Sequence, residues 1–352
     1  MSSSTIQEAI RLVSEGRSLS QEQAEAAMTA IMQGEATPAQ VAGLAVALRM
    51  KGETPDEVAG MALAMRRHAI KVTPPQGRKV VDTCGTGGDR SYTINVSTGA
   101  AFVAAGAGLT VAKHGNRSVS SQTGSADVLE AMGVAIDLGP EEVERCLGEV
   151  GIAFLFAPTF HPAMRHAAQP RRELGIRTVF NILGPLTNPA GARFQLLGVY
   201  EPGLVELVAG ALARLGTERA LVVHGLDGLD EISLSAPTLA AWVEGGEVRP
   251  LTIDPTALGL APVPREAIRG DGPAANARLL REVLAGERRG PLRDVVLLNA
   301  AGCLWAAGLV DSLAEGMELA RHSVDSGAAY HRLEALAAFG RRRTADGAEA
   351  AR

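Results

Sequence analysis

Residues Val80 to Asp89 read V-V-D-T-C-G-T-G-G-D, and the chain continues to N-V-S-T at Asn95 to Thr98. A short β-branched run, a turn built on Gly85, Gly87 and Gly88, and a helix opening on hydroxyls make the strand–turn–helix unit of an α/β protein. Glycines let backbone N–H groups approach oxygens, and a helix N-terminus favours negative charge, so the unit is suited to phosphate. Asp82 and Asp89 frame the turn, and Asn95, Ser97 and Thr98 sit at the next helix start, which is more polarity than an ordinary strand-to-helix turn needs. Neither G-x-x-x-x-G-K-[ST] nor G-x-G-x-x-G occurs, which argues against an ATPase and a dinucleotide enzyme.

The same alternation extends outward. Short apolar runs at Leu109 to Ala112, Phe194 to Val199, Ala220 to Val223 and Val248 to Ile253 are separated by helical stretches. That pattern indicates a mainly parallel sheet covered by helices on both faces. Upstream, three helix starts share one signature: Ser20 with Gln23, Thr37-Pro38 with Gln40, and Thr54-Pro55 with Glu57. Each pairs an N-cap with a capping-box partner, and two put Pro at the first helical position. The segment from about Pro140 to Pro185, beginning Pro140-Glu141-Glu142, reads as mostly helical and is expected to pack on the N-terminal helices. In the tail, Pro291 is expected to end the preceding element, Ser312 with Glu315 to cap a helix, and residues after Arg341 to fray.

At 352 residues the chain is long enough for two domains, and with 46% hydrophobic residues it can fill sizeable cores. A net charge of -5 argues against nucleic-acid or acidic-membrane partners, which need a basic face. Cys84, Cys146 and Cys303 are far apart in no C-x-x-C pattern, so neither a disulfide framework nor a zinc site is indicated. No signal peptide or 18-residue apolar run is seen, and a cytoplasmic setting is the expectation.

A second polar segment, K-H-G-N-R-S-V-S-S-Q-T-G-S-A-D-V-L-E-A-M-G from Lys113 to Gly133, is too rich in donors to be core. It reads as the surroundings of an anionic ligand, with Lys113 able to reach a phosphate as a point charge. Ser121, Thr123 and Ser125 are candidate helix-capping hydroxyls, Ser125 in particular for the helix carrying Asp127. Asp230-Glu231, with Asp227 nearby, follows an apolar strand, where parallel sheets bind ligands. Two adjacent carboxylates suit Mg²⁺ held with phosphate oxygens, although a solvated acidic loop has the same composition. Arg171, near Arg165 and Arg172, is placed to pair with a carboxylate.

Together these motifs resemble the anthranilate phosphoribosyltransferase family. The resemblance continues through F-A-P-T-F-H-P-A-M-R at Phe156 to Arg165, R-R-E-L-G-I-R-T-V-F-N-I-L-G-P-L-T-N-P at Arg171 to Pro189, and G-L-D-G-L-D-E-I-S at Gly225 to Ser233. It implies transfer of a phosphoribosyl group from phosphoribosyl pyrophosphate to anthranilate, through an oxocarbenium-like state. It also implies a discontinuous helical domain (residues 1–75 and 140–190), an α/β domain (76–139 and 191–352), a cleft between them, and a homodimer formed through the N-terminal helices.

Carried over residue by residue, phosphoribosyl pyrophosphate would meet Gly85, Thr86, Gly87, Gly88, Asp89, Thr93, Asn95, Ser97, Thr98, Lys113 and Ser125. Anthranilate would meet Gly85, His114, Asn116, His161, Arg171 and Pro185. Lys113, Asn116 and Arg171 would carry catalysis, with His114 a candidate for late proton removal. Ser97, Asp230 and Glu231 would bind Mg²⁺, two ions per subunit. Arg90 and Tyr92 depart from the family pattern of small residues after Asp89. The rivals are a pyrimidine-nucleoside phosphorylase of the same fold, whose K-H-G turn carries further glycines, and a non-catalytic nucleic-acid-binding relative, which would be basic. A phosphoribosyltransferase of the Rossmann-like type lacks its motif here.

Overall fold

The computed structural model describes residues 2–89, 92–118 and 123–350, with side chains from 5 to 342 among them; Arg90 and Ser121 lie outside the described residues. Four helices come first: α1 (Ser2–Ser14), α2 (Gln21–Met32), α3 (Pro38–Lys51) and α4 (Pro55–His68). The last three begin at the expected Ser20, Thr37 and Thr54, each with both halves of its capping box formed. Glu57 does more than cap α4. Its fully buried carboxylate accepts from the Thr54 and Leu19 amides at 2.8 and 2.9 Å and from Lys51 Nζ at 2.9 Å, tying the α1–α2 link to α4. Gly60 lets α4 lie against the start of α2, since a Cβ there would fall 2.1 Å from the Gln21 carbonyl oxygen.

The α/β part follows with β1 (Val80–Asp82), α5 (Val96–Gly106), β2 (Thr110–Gly115), α6 (Ser125–Ala131), α7 (Pro140–Glu149), β3 (Ile152–Phe156) and the short α8 (Ala157–Phe160). Next come α9 (Arg165–Leu174), α10 (Phe180–Leu183), β4 (Phe194–Gly198), α11 (Leu204–Arg214), β5 (Arg219–Gly225), β6 (Thr238–Glu244) and β7 (Glu247–Ile253). The chain closes with α12 (Gly272–Leu284), α13 (Pro291–Ala306), α14 (Leu313–Asp325) and α15 (Ala328–Ala350).

Among the described residues seven strands form one sheet in the order β3-β2-β1-β4-β5-β6-β7. Strands β3, β2, β1, β4 and β5 are parallel; β6 and β7 add an antiparallel edge. Alternate residues of a strand point to opposite faces, so Leu196, Leu221 and Val223 enter one core with α5 and α13, while Leu197, Ala220 and Val222 enter the other with α11. That second core also contains Val58, Met61 and Met65 of α4. The N-terminal helices thus share their core with the sheet through α11.

Several expectations are corrected. Residues 140–156, expected in the helical part, belong to the sheet: α7 packs Val143, Cys146 and Leu147 into the sheet core, and β3 pairs with β2 from Val111↔Ile152 to Gly115↔Phe156. Only the later stretch, with Ala167, Val179, Phe180, Leu183 and Leu186, joins the helical core. Pro291 opens α13 instead of ending the element before it. Ser312 accepts from the Glu315 amide at 3.2 Å, but the Glu315 carboxylate accepts from the Asp311 amide, one residue short of a capping box. Among the described residues no helix is long and apolar enough to cross a membrane.

Candidate active site

The carboxyl ends of β1, β2, β4 and β5 bring the predicted segments together. The glycine turn leaves β1 and is held by the Thr86 amide donating to the Gly198 carbonyl at 2.8 Å and by the Tyr200 amide donating to Thr86 Oγ1 at 3.1 Å. Gly87 and Gly88 have φ of 63° and 80°, which a side chain rarely tolerates. Gly85 is needed for closeness: an added Cβ would lie 3.0 Å from Asp230 Oδ2 and 3.3 Å from the Gly198 carbonyl oxygen. The Gly87 amide donates to Asp230 Oδ2 at 2.7 Å, so a residue 143 positions away is locked to the turn.

Asp89, Asp230 and Glu231 converge, with a carboxylate oxygen from each within 4.8 Å of the others. Burial and the neighbouring Asp89 charge push the Asp230 carboxyl up, and burial with the charges of Asp230 and Asp89 pushes Glu231 well up. Converging, half-buried carboxylates that repel one another as anions are a donor set that fits a hard divalent cation such as Mg²⁺. Asp89 reaches this cluster from the glycine turn, a place among the carboxylates that its sequence position does not signal. Asp227 stays outside, accepting from Ser233 Oγ at 2.8 Å. Ser97 is adjacent through its backbone amide, which faces Glu231, while its hydroxyl accepts from Lys113.

Lys113, on β2 and only 3% exposed, points its ammonium at Thr83 Oγ1, the Thr83 carbonyl and Ser97 Oγ, at 3.3, 3.4 and 3.3 Å. Its charge pulls against the raised pKa of both Asp82 and Glu231. Asp82 itself is structural. Fully buried, it accepts from the His114 amide at 3.2 Å and from Asn188 Nδ2 at 2.7 Å, and burial pushes its carboxyl up to about 6. Asn188, in the quoted L-T-N-P run but given no role from sequence, also donates to the Ala112 carbonyl at 2.8 Å, joining the 157–190 segment to β1 and β2.

Helix α5 starts at Asn95, whose side chain makes no cap bond; it donates to the Thr123 carbonyl and accepts from Asn276 Nδ2. Thr98 is fully buried, and among the described residues its hydroxyl has no hydrogen-bond partner. Thr93 bridges to Arg269, and Tyr92, with φ 52°, accepts from the Gly270 amide, so this stretch is pinned to the 268–270 segment. Ser125 does not cap α6. Gly124 is the N-cap, the Asp127 carboxylate accepts the Gly124 amide at 2.8 Å, and Ser125 Oγ donates to the Asn116 carbonyl at 3.3 Å. Asn116 Oδ1 accepts from the Arg117 amide at 2.7 Å, and Arg117 pairs with Asp127 and Glu130.

On the opposite wall, His161 stands between α8 and α9, its ring centroid 5.1 Å from that of His114. Burial pulls His114 down to about 3 and His161 to about 4, so both are neutral at pH 7. Neutral rings add no positive charge to this wall. Pro185 is buried, its carbonyl accepting from Gln195 Nε2 at 2.7 Å. Arg171, on α9, lies over the Phe180 ring at 5.4 Å, and among the described residues its half-buried guanidinium has no carboxylate partner. Burial lowers its pKa, a cost that an incoming anion would relieve.

Comparison with known proteins fits this geometry. Residues 7–69 match the glycosyl transferase family helical bundle domain and residues 77–330 its a/b domain. The anthranilate phosphoribosyltransferase of Symbiobacterium thermophilum is 56% identical over 339 residues, covering 96% of this chain and 99% of that protein. That of Thermomicrobium roseum is 58% identical over 324 residues, covering 91% and 93%. The crystal structure of the Thermus thermophilus enzyme superposes with a TM-score of 0.89 at 49% identity, over 95% of this chain and 99% of that one. The Saccharomyces cerevisiae enzyme in complex with PRPP and Mg superposes with a TM-score of 0.86 at 30% identity, over 96% and 98%. Neither a nucleoside phosphorylase nor a nucleic-acid-binding relative is needed to account for these matches. By full-length identity and by fold, the chain belongs to the anthranilate phosphoribosyltransferase family of pentosyltransferases.

Proposed function

We propose the following division of labour for the transfer of the 5-phosphoribosyl group from phosphoribosyl pyrophosphate to anthranilate, giving N-(5-phosphoribosyl)anthranilate and pyrophosphate in tryptophan biosynthesis. The observation that carries it is the meeting of the glycine turn, Lys113 and the Asp89–Asp230–Glu231 carboxylates at one end of the sheet.

Displacement at the ribose C1 asks for leaving-group stabilisation and positioning more than for a base. Gly85 to Asp89, Thr93, Asn95, Ser97, Thr98 and Ser125 offer amides and hydroxyls to the phosphates, and Lys113 supplies a fixed positive charge beside Ser97. Mg²⁺, bound by Asp230 and Glu231 with Asp89 and Ser97 near, would neutralise charge on the departing pyrophosphate. The three convergent carboxylates suit one ion, and two per subunit is our reading, the second being held mainly by the diphosphate.

Anthranilate is aimed by Arg171 through its carboxylate, with Asn116, Gly85, His161, His114 and Pro185 around the ring. The neutral imidazoles suit this task, since they add no charge beside an already neutral amine. The two substrates would enter from different walls: the helical unit, residues 1–75 with about 157–190, and the α/β unit. A homodimer through the N-terminal helices is part of this reading, supported by Met50 of α3, 82% exposed, and so is a cytoplasmic setting.

Mass spectrometry of a reaction containing anthranilate, phosphoribosyl pyrophosphate and Mg²⁺ tests the reading. Equal amounts of the phosphoribosyl adduct and pyrophosphate are expected; pyrophosphate without adduct would mean hydrolysis and overturn it.

A further inference from the structure

The glycine turn is held from outside at Thr86, Gly87 and Gly88, and the last of these holds comes from the opposite wall. Arg177 lies in the link between α9 and α10, within the R-R-E-L-G-I-R-T block, and its guanidinium donates to the Gly88 carbonyl. The same guanidinium stacks over the Tyr200 ring, 4.1 Å from the ring centroid, and lies 4.0 Å from the Glu201 carboxylate. Tyr200 in turn donates its amide to Thr86 Oγ1. Arg177 and Tyr200 therefore grip the turn at Gly88 and Thr86, one from each wall.

The geometry points to Arg177 as a positioning residue for the phosphate-binding turn: held flat by Tyr200, it fixes the Gly88 carbonyl and so keeps the Gly85 to Asp89 amides directed at the diphosphate. This rests on the reading above that the turn binds phosphoribosyl pyrophosphate. The hold at Gly87 comes from Asp230, a carboxylate that a bound cation would claim. Once that bond is given up, the Arg177 contact is what restrains the two positive-φ glycines from the far side. A lysine cannot replace it, because an ammonium has neither the planar fork nor the flat face that stacks on a ring.

The test compares the full-length enzyme with Arg177→Lys and Tyr200→Leu variants by three readouts. Calorimetric titration with phosphoribosyl pyrophosphate plus Mg²⁺ should show affinity weakened about tenfold in Arg177→Lys, while KM for anthranilate and the melting temperature change little. Hydrogen exchange of the turn amides in the free enzyme should be faster in Arg177→Lys. Tyr200→Leu should give part of both effects, and the double variant little more than Arg177→Lys alone. Unchanged exchange and affinity, or an equal rise of KM for both substrates, would overturn the inference. A parent enzyme that does not bind phosphoribosyl pyrophosphate would instead sink the functional reading, and the exchange comparison would still decide the role of Arg177.

Discussion

The Gly87 amide and the Asp230 carboxylate are hydrogen-bonded to each other at 2.7 Å, so each occupies the group the other's ligand would need. An amide offered to phosphate and a carboxylate offered to a cation are released together. Binding of phosphoribosyl pyrophosphate should therefore depend on Mg²⁺ more steeply than charge neutralisation alone requires.

Asp230→Asn with Glu231→Gln keeps the shape of the loop and removes the charge. Turnover should fall on the order of 10²-fold or more, and the dependence of rate on Mg²⁺ concentration should flatten. Rate profiles against Mg²⁺ for parent and variant are the check, and an unchanged profile would contradict the cation assignment.

Arg171→Ala should raise KM for anthranilate by roughly 10–100-fold, the size of a lost charged hydrogen bond, with a far smaller change for phosphoribosyl pyrophosphate. Steady-state kinetics with each substrate varied in turn separates the two. Equal effects would argue against Arg171 as the carboxylate partner.

Gly198, at the end of β4, passes so close to Asp230 that an added Cβ would lie 1.5 Å from the Asp230 carbonyl oxygen. Gly198→Ala must displace the acidic loop or the strand. It should destabilise the fold by about 1–3 kcal/mol or more and weaken Mg²⁺ binding, measured by urea unfolding and by Mg²⁺ titration. Glu57 offers a contrast far from the chemistry: Glu57→Ala leaves the Thr54 and Leu19 amides unpaired and takes from Lys51 its carboxylate, leaving it the Gly52 carbonyl and the Ser18 hydroxyl, and should cost about 3–5 kcal/mol with kinetic constants unchanged in the folded fraction.

The buried imidazoles set an acid limit. His114 and His161 have pKa values near 3 and 4 when folded, below the unfolded value of 6.5. Unfolded chains take up these protons first, so the stability contributed by the neutral rings is present above pH 6.5 and is lost as pH falls toward about 4. His161→Asn should lower the melting temperature less than the parent is lowered over that range. Parallel slopes from about pH 7 to about 4.5 would contradict it.

Local chemistry decides what can be read from sequence. The three capping boxes and the glycine turn are written in contiguous residues, and the fold forms them where expected. Strand β3, I-A-F-L-F, escapes a sequence reading because a five-residue apolar run has no alternation and follows a helix start at Pro140. Strand β6, T-L-A-A-W-V-E, is buried on both faces for most of its length and likewise shows no period, although the Gly245-Gly246 turn that joins it to β7 is a signal. At the site, single segments are legible but partnerships across the fold are not. Asn188 with Asp82, Arg177 with Gly88, and Asp89 with Asp230 are separated by 89 or more residues, and no spacing rule reaches that far.

The most direct measurement follows anthranilate fluorescence on addition of phosphoribosyl pyrophosphate and Mg²⁺, with EDTA as control and thymidine and uridine phosphorolysis in parallel. Fluorescence loss that requires both phosphoribosyl pyrophosphate and Mg²⁺, without nucleoside cleavage, is the predicted result; undiminished fluorescence, or nucleoside cleavage in its place, would contradict the account.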